Sequence, residues 1–325
     1  MQFPVGDKND GNGPVFSIVV PTYNQADLLR EALDSVLRQS FQRFEVAVVD
    51  NHSSDHTGEV LDSFKDERVR VYLVHNQGVI GVSRNMGIRE TKAPLVAFLD
   101  SDDTWRPEKL QRVFEVWEQD PEAGLVCHDE HAVRHGRISY ALRYGPYRED
   151  MYQFLLLNGC RLSTSATVVR RAYLDKVGGF SEDPNLAGVE DYDLWLRLSR
   201  VCRFNFLHQT LGQFRLHPQS HSASSGVHLA HTLYLLDKHF GILEEKGAPL
   251  PKKLLRRERA TRYAGAARTA TSWWGKDGCL DYCRSALLET PFSWKTYARL
   301  AFSITARLLP VPVSLPGLNG IRQGP

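Results

Sequence analysis

The sequence predicts an α/β fold in which a mostly parallel sheet is flanked by helices on both faces, with a helical extension at the C-terminal end. Two observations carry that expectation. Short runs that are apolar at every position alternate with stretches of helical period, the pattern of strands buried on both faces and joined by helices. In addition, three of the polar clusters follow directly from such runs, and the carboxyl ends of the strands are where sheets of this kind bind ligands.

The elements follow in order. Residues 1–14 are rich in Gly, Asn and Asp and read as a flexible tail. Phe16–Val20 is an apolar run closed by Pro21, a strand. Ala26–Gln39 places Leu28, Leu29, Ala32, Leu33, Val36 and Leu37 on one helical face. Phe44–Val49 is the next strand, ending at Asp50. A helix around Gly58–Lys65, a strand Val69–Val74, a helix near Gly81–Glu90 and the strand Leu95–Leu99 complete the alternation. From Pro107 the pattern is less regular. Glu108–Glu118 reads as a helix, Leu125–Cys127 and Ala166–Val169 as short strands, Asp191–Val201 as an amphipathic helix and Leu211–Leu216 as a strand. The boundaries are therefore a tail to residue 14, an α/β domain over 15–220 (a first half 15–106 and a second 107–220), and a helical, basic region over 221–325.

Composition narrows the function. The chain has 325 residues, 42% hydrophobic and 24% charged, with a formal net charge of +2, which argues against bulk disorder and gives no electrostatic footprint for nucleic acid. Its five cysteines form no CxxC pair, so neither a disulfide scaffold nor a zinc ribbon is expected. With no signal-peptide layout and no apolar run of membrane-spanning length, the cytoplasm is the expected location.

The polar clusters define the chemistry. Asp100-Ser101-Asp102-Asp103 puts three carboxylates in four residues at a strand end, where they repel one another unless a cation is present. Mg2+ or Mn2+ takes one or two carboxylates and shares the rest of its shell with phosphates; a solvated acidic turn is the alternative. Asp50, Asn51 and Asp55 can bond a nucleotide base or ribose, or simply shape a turn. In the turn Pro21-Thr22-Tyr23-Asn24, Tyr23 can stack on a base. The stretch Gly81–Gly87 matches neither the dinucleotide fingerprint nor the P-loop, and Arg84, ill-matched to a helix start, calls for an anion or acidic partner. Glu190-Asp191 opens a helix, where carboxylates either cap the dipole or serve as a general base. His217 is a metal or phosphate ligand, or a structural histidine.

Taken in this order, FSIVVPTYN, SVLRQSF, FEVAVVDNHSSDHT, GVSRNMGI, LVAFLDSDDTWRPEKL, GGFSE and EDYDLWLRL make the chain resemble the inverting glycosyltransferases of family 2, which have the GT-A fold, from Phe16 to His217. The resemblance implies that Pro21, Thr22, Tyr23, Asn24, Asp50, Asn51 and Asp55 line a nucleotide pocket and that Arg84 lies near the diphosphate. It matches Asp100 and Asp102 to the DxD motif, Asp102 as metal ligand, with Ser101 between them and Asp103 as support. Asp191 corresponds to the general base, beside Glu190, and His217 to a late histidine at the metal or diphosphate. Gly178, Gly179 and Phe180 would shape the acceptor side, with Trp105 packing on a sugar. The implied partners are a nucleoside-diphosphate sugar, by family frequency a UDP-sugar, and a glycan or lipid-linked acceptor of a bacterial surface polysaccharide. Mn2+ or Mg2+ is the implied cofactor. The competing expectations are a polyprenyl-phosphate sugar transferase, a non-catalytic glycan- or nucleotide-binding protein, and a nucleotidyltransferase, the last lacking its glycine-rich loop here.

The C-terminal region is basic. Seven Lys and Arg residues fall between Lys252 and Arg268 against the single Glu258. Trp294, Tyr297, Leu300, Ala301, Ile304 and Leu308 recur at helical spacing with Lys295, Arg299 and Arg307 among them. That pattern suits either peripheral contact with an anionic membrane or packing back onto the catalytic domain.

Overall fold

The structure, a computed structural model, describes residues 13–216, 225–273 and 279–291, together with positions 293, 294, 297, 298 and 301. His217 and most of the expected last helix lie outside the described residues. Among the described residues, nine strands form one sheet: β1 (Phe16–Thr22), β2 (Phe44–Asp50), β3 (Val69–Leu73), β4 (Leu95–Phe98), β5 (Thr104–Trp105), β6 (Ala123–Arg134), β7 (Arg137–Leu142), β8 (Thr167–Arg170) and β9 (Arg203–Arg215). The helices are α1 (Ala26–Leu37), α2 (Thr57–Ser63), α3 (Ile80–Arg89), α4 (Lys109–Gln119), α5 (Met151–Asn158), α6 (Arg171–Val177), α7 (Glu190–Leu198), α8 (Ser225–Glu245), α9 (Lys252–Trp273) and α10 (Cys279–Glu289).

The sheet order is β3-β2-β1-β4-β8-β6-β9-β5, with β7 paired to β6. Strands β3, β2, β1 and β4 are parallel, as the alternation predicts. Beyond β4 the sheet is mixed: β8 runs antiparallel to both β4 and β6, whereas β6 and β9 are parallel. One continuous sheet thus joins the two halves of the α/β domain. The chain winds outward from β1 to β3, then returns across β1 to β4. That reversal opens a crevice at the carboxyl ends of β1 and β4.

Strand residues alternate between two cores. Phe16, Ile18 and Val20 pack with Leu29, Leu33, Val36 and Trp117 on one face. Val19 joins Phe98, Phe180, Leu194 and Trp195 on the other. Both faces are buried, so β1, β2 and β4 are apolar at most positions, and the polar Ser17 and Glu45 within them hydrogen-bond to each other. The edge strand β3, with Val71 and Leu73 exposed, is the exception.

Pro21 lies inside β1 rather than after it. The Thr22 carbonyl accepts from Asn51 on the β2 side and the Val19 carbonyl from Leu99 on the β4 side. By this alternation Pro21 faces β4, which has already ended at Phe98, so its missing N–H forfeits no ladder bond. Strand β6 is much longer than its apolar stretch because His128, Asp129 and Glu130 are all buried within it. The exposed strand β7 and the short α6, which buries only Leu174, carry too weak a pattern to be read from sequence.

Helix α3 crosses β1 at Gly87, where a Cβ would stand 2.5 Å from Cγ1 of the buried Val19. Gly87→Ala is expected to lower stability by about 1–3 kcal/mol through overpacking, read as a lower urea midpoint at unchanged slope.

Candidate active site

The crevice is a cleft of about 1240 Å3 lined by the ends of β1 and β4, the start of α7, the loop before β8 and the inner faces of α8 and α9. On the β1 side, Pro21, Thr22, Tyr23, Asn24 and Asn51 line it. Tyr23 is 56% exposed at the rim, an open face for stacking. Asn24, at φ 50°, accepts from the Ser54 amide at 2.7 Å through Oδ1 and so ties the first loop to the second. Thr22 Oγ1 is buried without a hydrogen-bond partner.

Two expected nucleotide residues are spent on the loop itself. Asp50 accepts from Ser53 N and Oγ, at 3.0 and 2.6 Å. Asp55 accepts from Ala26 N and Thr57 N, at 3.1 and 3.0 Å, holding the first turns of α1 and α2. Neither lines the cleft; Asn51 does, with Oδ1 accepting from Asn76 N.

Asp100, Ser101 and Asp102 line the floor where β4 ends. Ser101 donates to Gln25 Oε1. Asp103 turns away from the cleft, accepting from Ser165 Oγ at 2.6 Å and Arg215 N at 2.9 Å. Burial, with Asp102, Glu130 and Asp100 nearby, pushes its carboxyl well above the usual range. The support expected of Asp103 is thus a buried tie between the acidic turn and β9.

Arg84 is the centre of the site. Only 3% exposed, its guanidinium donates to Asp100 Oδ1 at 2.7 Å and Glu190 Oε1 at 2.5 Å. These attractions outweigh burial and raise its pKa. The sequence asked for an acidic partner, and two are present. Both Nη atoms are thus committed to carboxylates, while Nε is buried without a hydrogen-bond partner and the residue lines the cleft. Glu190 also accepts from Gly188 N at 2.6 Å, so both of its oxygens are engaged.

Asp191, beside it, faces the cleft. It accepts from Thr164 Oγ1 at 3.2 Å and Tyr192 N at 2.6 Å. Burial, then the charge of Glu190, push its carboxyl up to about 6 against the opposing pull of Arg84.

The structure corrects four of the expected acceptor-side positions. Trp105 is buried in the core, its Nε1 donating to Ser165 O and its ring covered by Lys109 Nζ 3.3 Å from the centroid. It cannot meet a sugar because β5 seats it inside the sheet. Phe180 is likewise buried, 5.2 Å beneath the Arg84 guanidinium, and exchanges two hydrogen bonds with Asn85. Gly178 ends α6 in the left-handed region, and Gly179, at φ 71°, lets the Asn85 side chain approach where a Cβ would stand 2.5 Å from Oδ1. Phe180 thus supports Arg84 from behind, and none of the three lines the cleft.

Two features escaped the sequence. Asp193 accepts from Arg197 Nε at 2.7 Å, Lys238 Nζ at 3.0 Å and His239 Nε2 at 3.1 Å, which fixes α7 against α8. Burial alone would raise its pKa; His239, Arg197 and Lys238 hold it well below the usual carboxylate range. The second is the wall made by His228 and Thr232 of α8 with Thr261 and Arg262 of α9. The basic run gave the only signal, and it does not say which cation turns inward.

Residues 17–178, about half of the chain, match the model of the family described as Glycosyl transferase family 2. The chain belongs to that family. Curated proteins similar to it include an uncharacterized glycosyltransferase of Rickettsia prowazekii, 30% identical over 63% of this chain and 64% of that one. TuaG of Bacillus subtilis, whose name places it in teichuronic acid biosynthesis, is 39% identical over 31% of this chain and 41% of its own. The chain spans less than two thirds of the length of the curated relatives it matches. Among solved structures, S. aureus TarS in complex with UDP-GlcNAc superposes with a TM-score of 0.60 at 20% identity over 90% of this chain and 88% of that one. The mannosyltransferase PcManGT from Pyrobaculum calidifontis, in complex with GDP-Man and Mn2+, gives 0.55 at 18% over 91% and 87%. The shared fold is the GT-A fold.

Replacing Arg84 strands two carboxylates, one of them buried. Arg84→Met is expected to cost about 3–5 kcal/mol at pH 8. Urea unfolding of the variant beside the wild type at pH 8 measures the loss.

Proposed function

We propose that this chain transfers a sugar from a nucleoside-diphosphate sugar to a hydroxyl of a glycan or lipid-linked acceptor, inverting the anomeric centre, in the synthesis of a bacterial surface polysaccharide. The observation that carries this reading is the ion-paired bridge from Asp100 through Arg84 to Glu190. It places an acidic metal-type turn and a candidate base in one cleft at the sheet's crossover point. TarS, whose solved complexes hold UDP and UDP-GlcNAc, and TuaG support a UDP-sugar and a cell-wall polysaccharide.

At the donor end, Tyr23 stacks on the base, while Thr22 and Asn51 offer hydrogen-bonding groups to the nucleoside. Asp102 and Asp100 would hold Mn2+ or Mg2+. Among the described residues no group of three or more His, Cys, Asp or Glu could hold a metal. Two carboxylates on a cleft floor are nevertheless the set expected when phosphate oxygens complete the shell. When bound, the ion supplies positive charge against the departing nucleoside diphosphate.

At the acceptor end, Asp191 takes the proton from the attacking hydroxyl as its oxygen bonds to the anomeric carbon, opposite the breaking bond to the diphosphate. One displacement inverts the centre. Arg84 keeps Glu190 fixed, and Glu190's charge in turn raises the basicity of Asp191.

Exposed Leu280, Leu288, Trp294 and Tyr297, near the basic stretches of the C-terminal region, support peripheral contact with an anionic membrane. Among the described residues no helix is long and apolar enough to cross one. Flotation with anionic vesicles should separate the full chain from a truncation ending near Pro291; identical partitioning removes this contact.

Calorimetry with UDP, GDP and dTDP in Mn2+ tests the donor. UDP is expected to bind with metal dependence, and Asp102→Ala to weaken that binding at least tenfold. Asp191→Asn is expected to lower sugar transfer by about 10²–10⁴ while leaving UDP affinity intact. The base works ionised, so wild-type transfer should fall below about pH 6, roughly tenfold per unit. An acid limb that survives in Asp191→Asn would assign it to another group.

A further inference from the structure

The wall that closes the cleft from α8, α9 and the loop after α5 is unused in the reaction described above. Arg262, in mid-α9, lines the cleft, yet its Nε and Nη2 are buried without hydrogen-bond partners. Its ion-pair partner Glu258, one turn earlier, stands off at 3.5 Å and is shared with Arg257 at 3.2 Å. A guanidinium carries five N–H donors in a fixed fork, and one distant shared carboxylate leaves this one underused.

One more cation and one imidazole lie close to it. On the loop after α5, Arg161 is held below its ordinary pKa by burial and by the charge of Arg262. His228 of α8 lines the same wall with Nδ1 buried, and burial and the charge of Arg262 lower its pKa against a backbone hydrogen bond at Gly188 that raises it. Two like charges, Arg262 and Arg161, on a partly desolvated wall with Glu258 as a distant carboxylate favour a further anion beside them.

The position matters as much as the charge. A Cβ at Gly159 would stand 2.9 Å from Arg262 Nη1, so the guanidinium lies against the loop that runs on to Thr164. Thr164 donates to Asp191. Cys160, on that loop, is within electrostatic range of both Asp191 and Arg262.

Resting on the reading of Asp191 as the acceptor's base, we propose that this wall binds an oxyanion carried by the acceptor close to its reacting hydroxyl, with Arg262 as its main ligand. Phosphate and carboxylate share the required chemistry, so the acceptor is a phosphate-bearing or uronate-bearing glycan rather than a neutral one. Arg262 meets the oxyanion through its fork, His228 offers a further ring nitrogen, and Arg161 adds charge at short range.

The test is ligand-observed NMR on the full chain with UDP and Mg2+ at saturation, which keeps probes out of the donor site. The probes are glucose 6-phosphate, glucuronate and glucose. At least one anionic probe should bind tenfold or more tightly than glucose, and which one does so identifies the group. Arg262→Met should abolish that preference while retaining UDP binding, and Arg262→Lys should keep part of it. Equal binding of the three probes to the wild type overturns the inference, as does a preference that survives Arg262→Met. Should Arg262→Met fail to fold, the wild-type comparison and Arg262→Lys still decide. Failure of UDP to bind sinks the donor reading alone, because the anion preference and its dependence on Arg262 are read separately.

Discussion

Arg84 is the interaction on which the site depends. Its side chain is almost fully buried, and burying a guanidinium is tolerable only with its donors paired. The two carboxylates that pair it come from the end of β4 and the start of α7, elements the chain does not bring together locally. The ion pairs therefore set the spacing between the end of β4 and the start of α7 across the cleft. Phe180 beneath the guanidinium and Asn85 on the same helix hold α3 against the loop after α6, so the cation cannot follow one carboxylate and abandon the other.

A division of labour within one helix follows. Glu190, Asp191 and Asp193 sit within four residues, and their surroundings give them different properties. Glu190 is held by Arg84 and Gly188, and Asp193 by three side chains in a buried network that reaches α8. Asp191 has only a hydroxyl and an amide, faces the open space and has a raised pKa. The tightly held neighbours fix the helix, and the loosely held one is left for chemistry.

The parallel half of the sheet was legible in the sequence because strands buried on both faces are apolar throughout. The position of the cleft was legible because polar residues follow those strands at Thr22, Asn51 and Asp100, and all three line it. What escaped did so for physical reasons. The short strand read at Leu125–Cys127 stops before His128, Asp129 and Glu130, whose burial extends β6 through the middle of the sheet. The resemblance put Trp105 and Phe180 on the acceptor side, but a sequence does not distinguish a ring that meets solvent from one buried beneath a cation. Asp50 and Asp55 have the right composition for recognition, and local amides claim them first. The inward turn of Arg262 depends on how α9 packs, which a run of basic residues does not encode.

The bridge from Arg84 to Glu190 spans 106 positions of the chain. A nascent polypeptide emerging from the ribosome therefore completes its first four parallel strands long before the acidic partner on α7 has been synthesised. Until then the guanidinium has Asp100 alone, and the surface that will receive α7 exposes Phe98 and Val19 to water. The amino-terminal half is thus a poor candidate for an autonomous folding unit, although it contains most of the nucleotide-type loops. Folding and assembly of the reactive cleft become a single event, so a chain interrupted before α7 leaves an apolar surface for chaperones or proteases to recognise in place of a half-active enzyme.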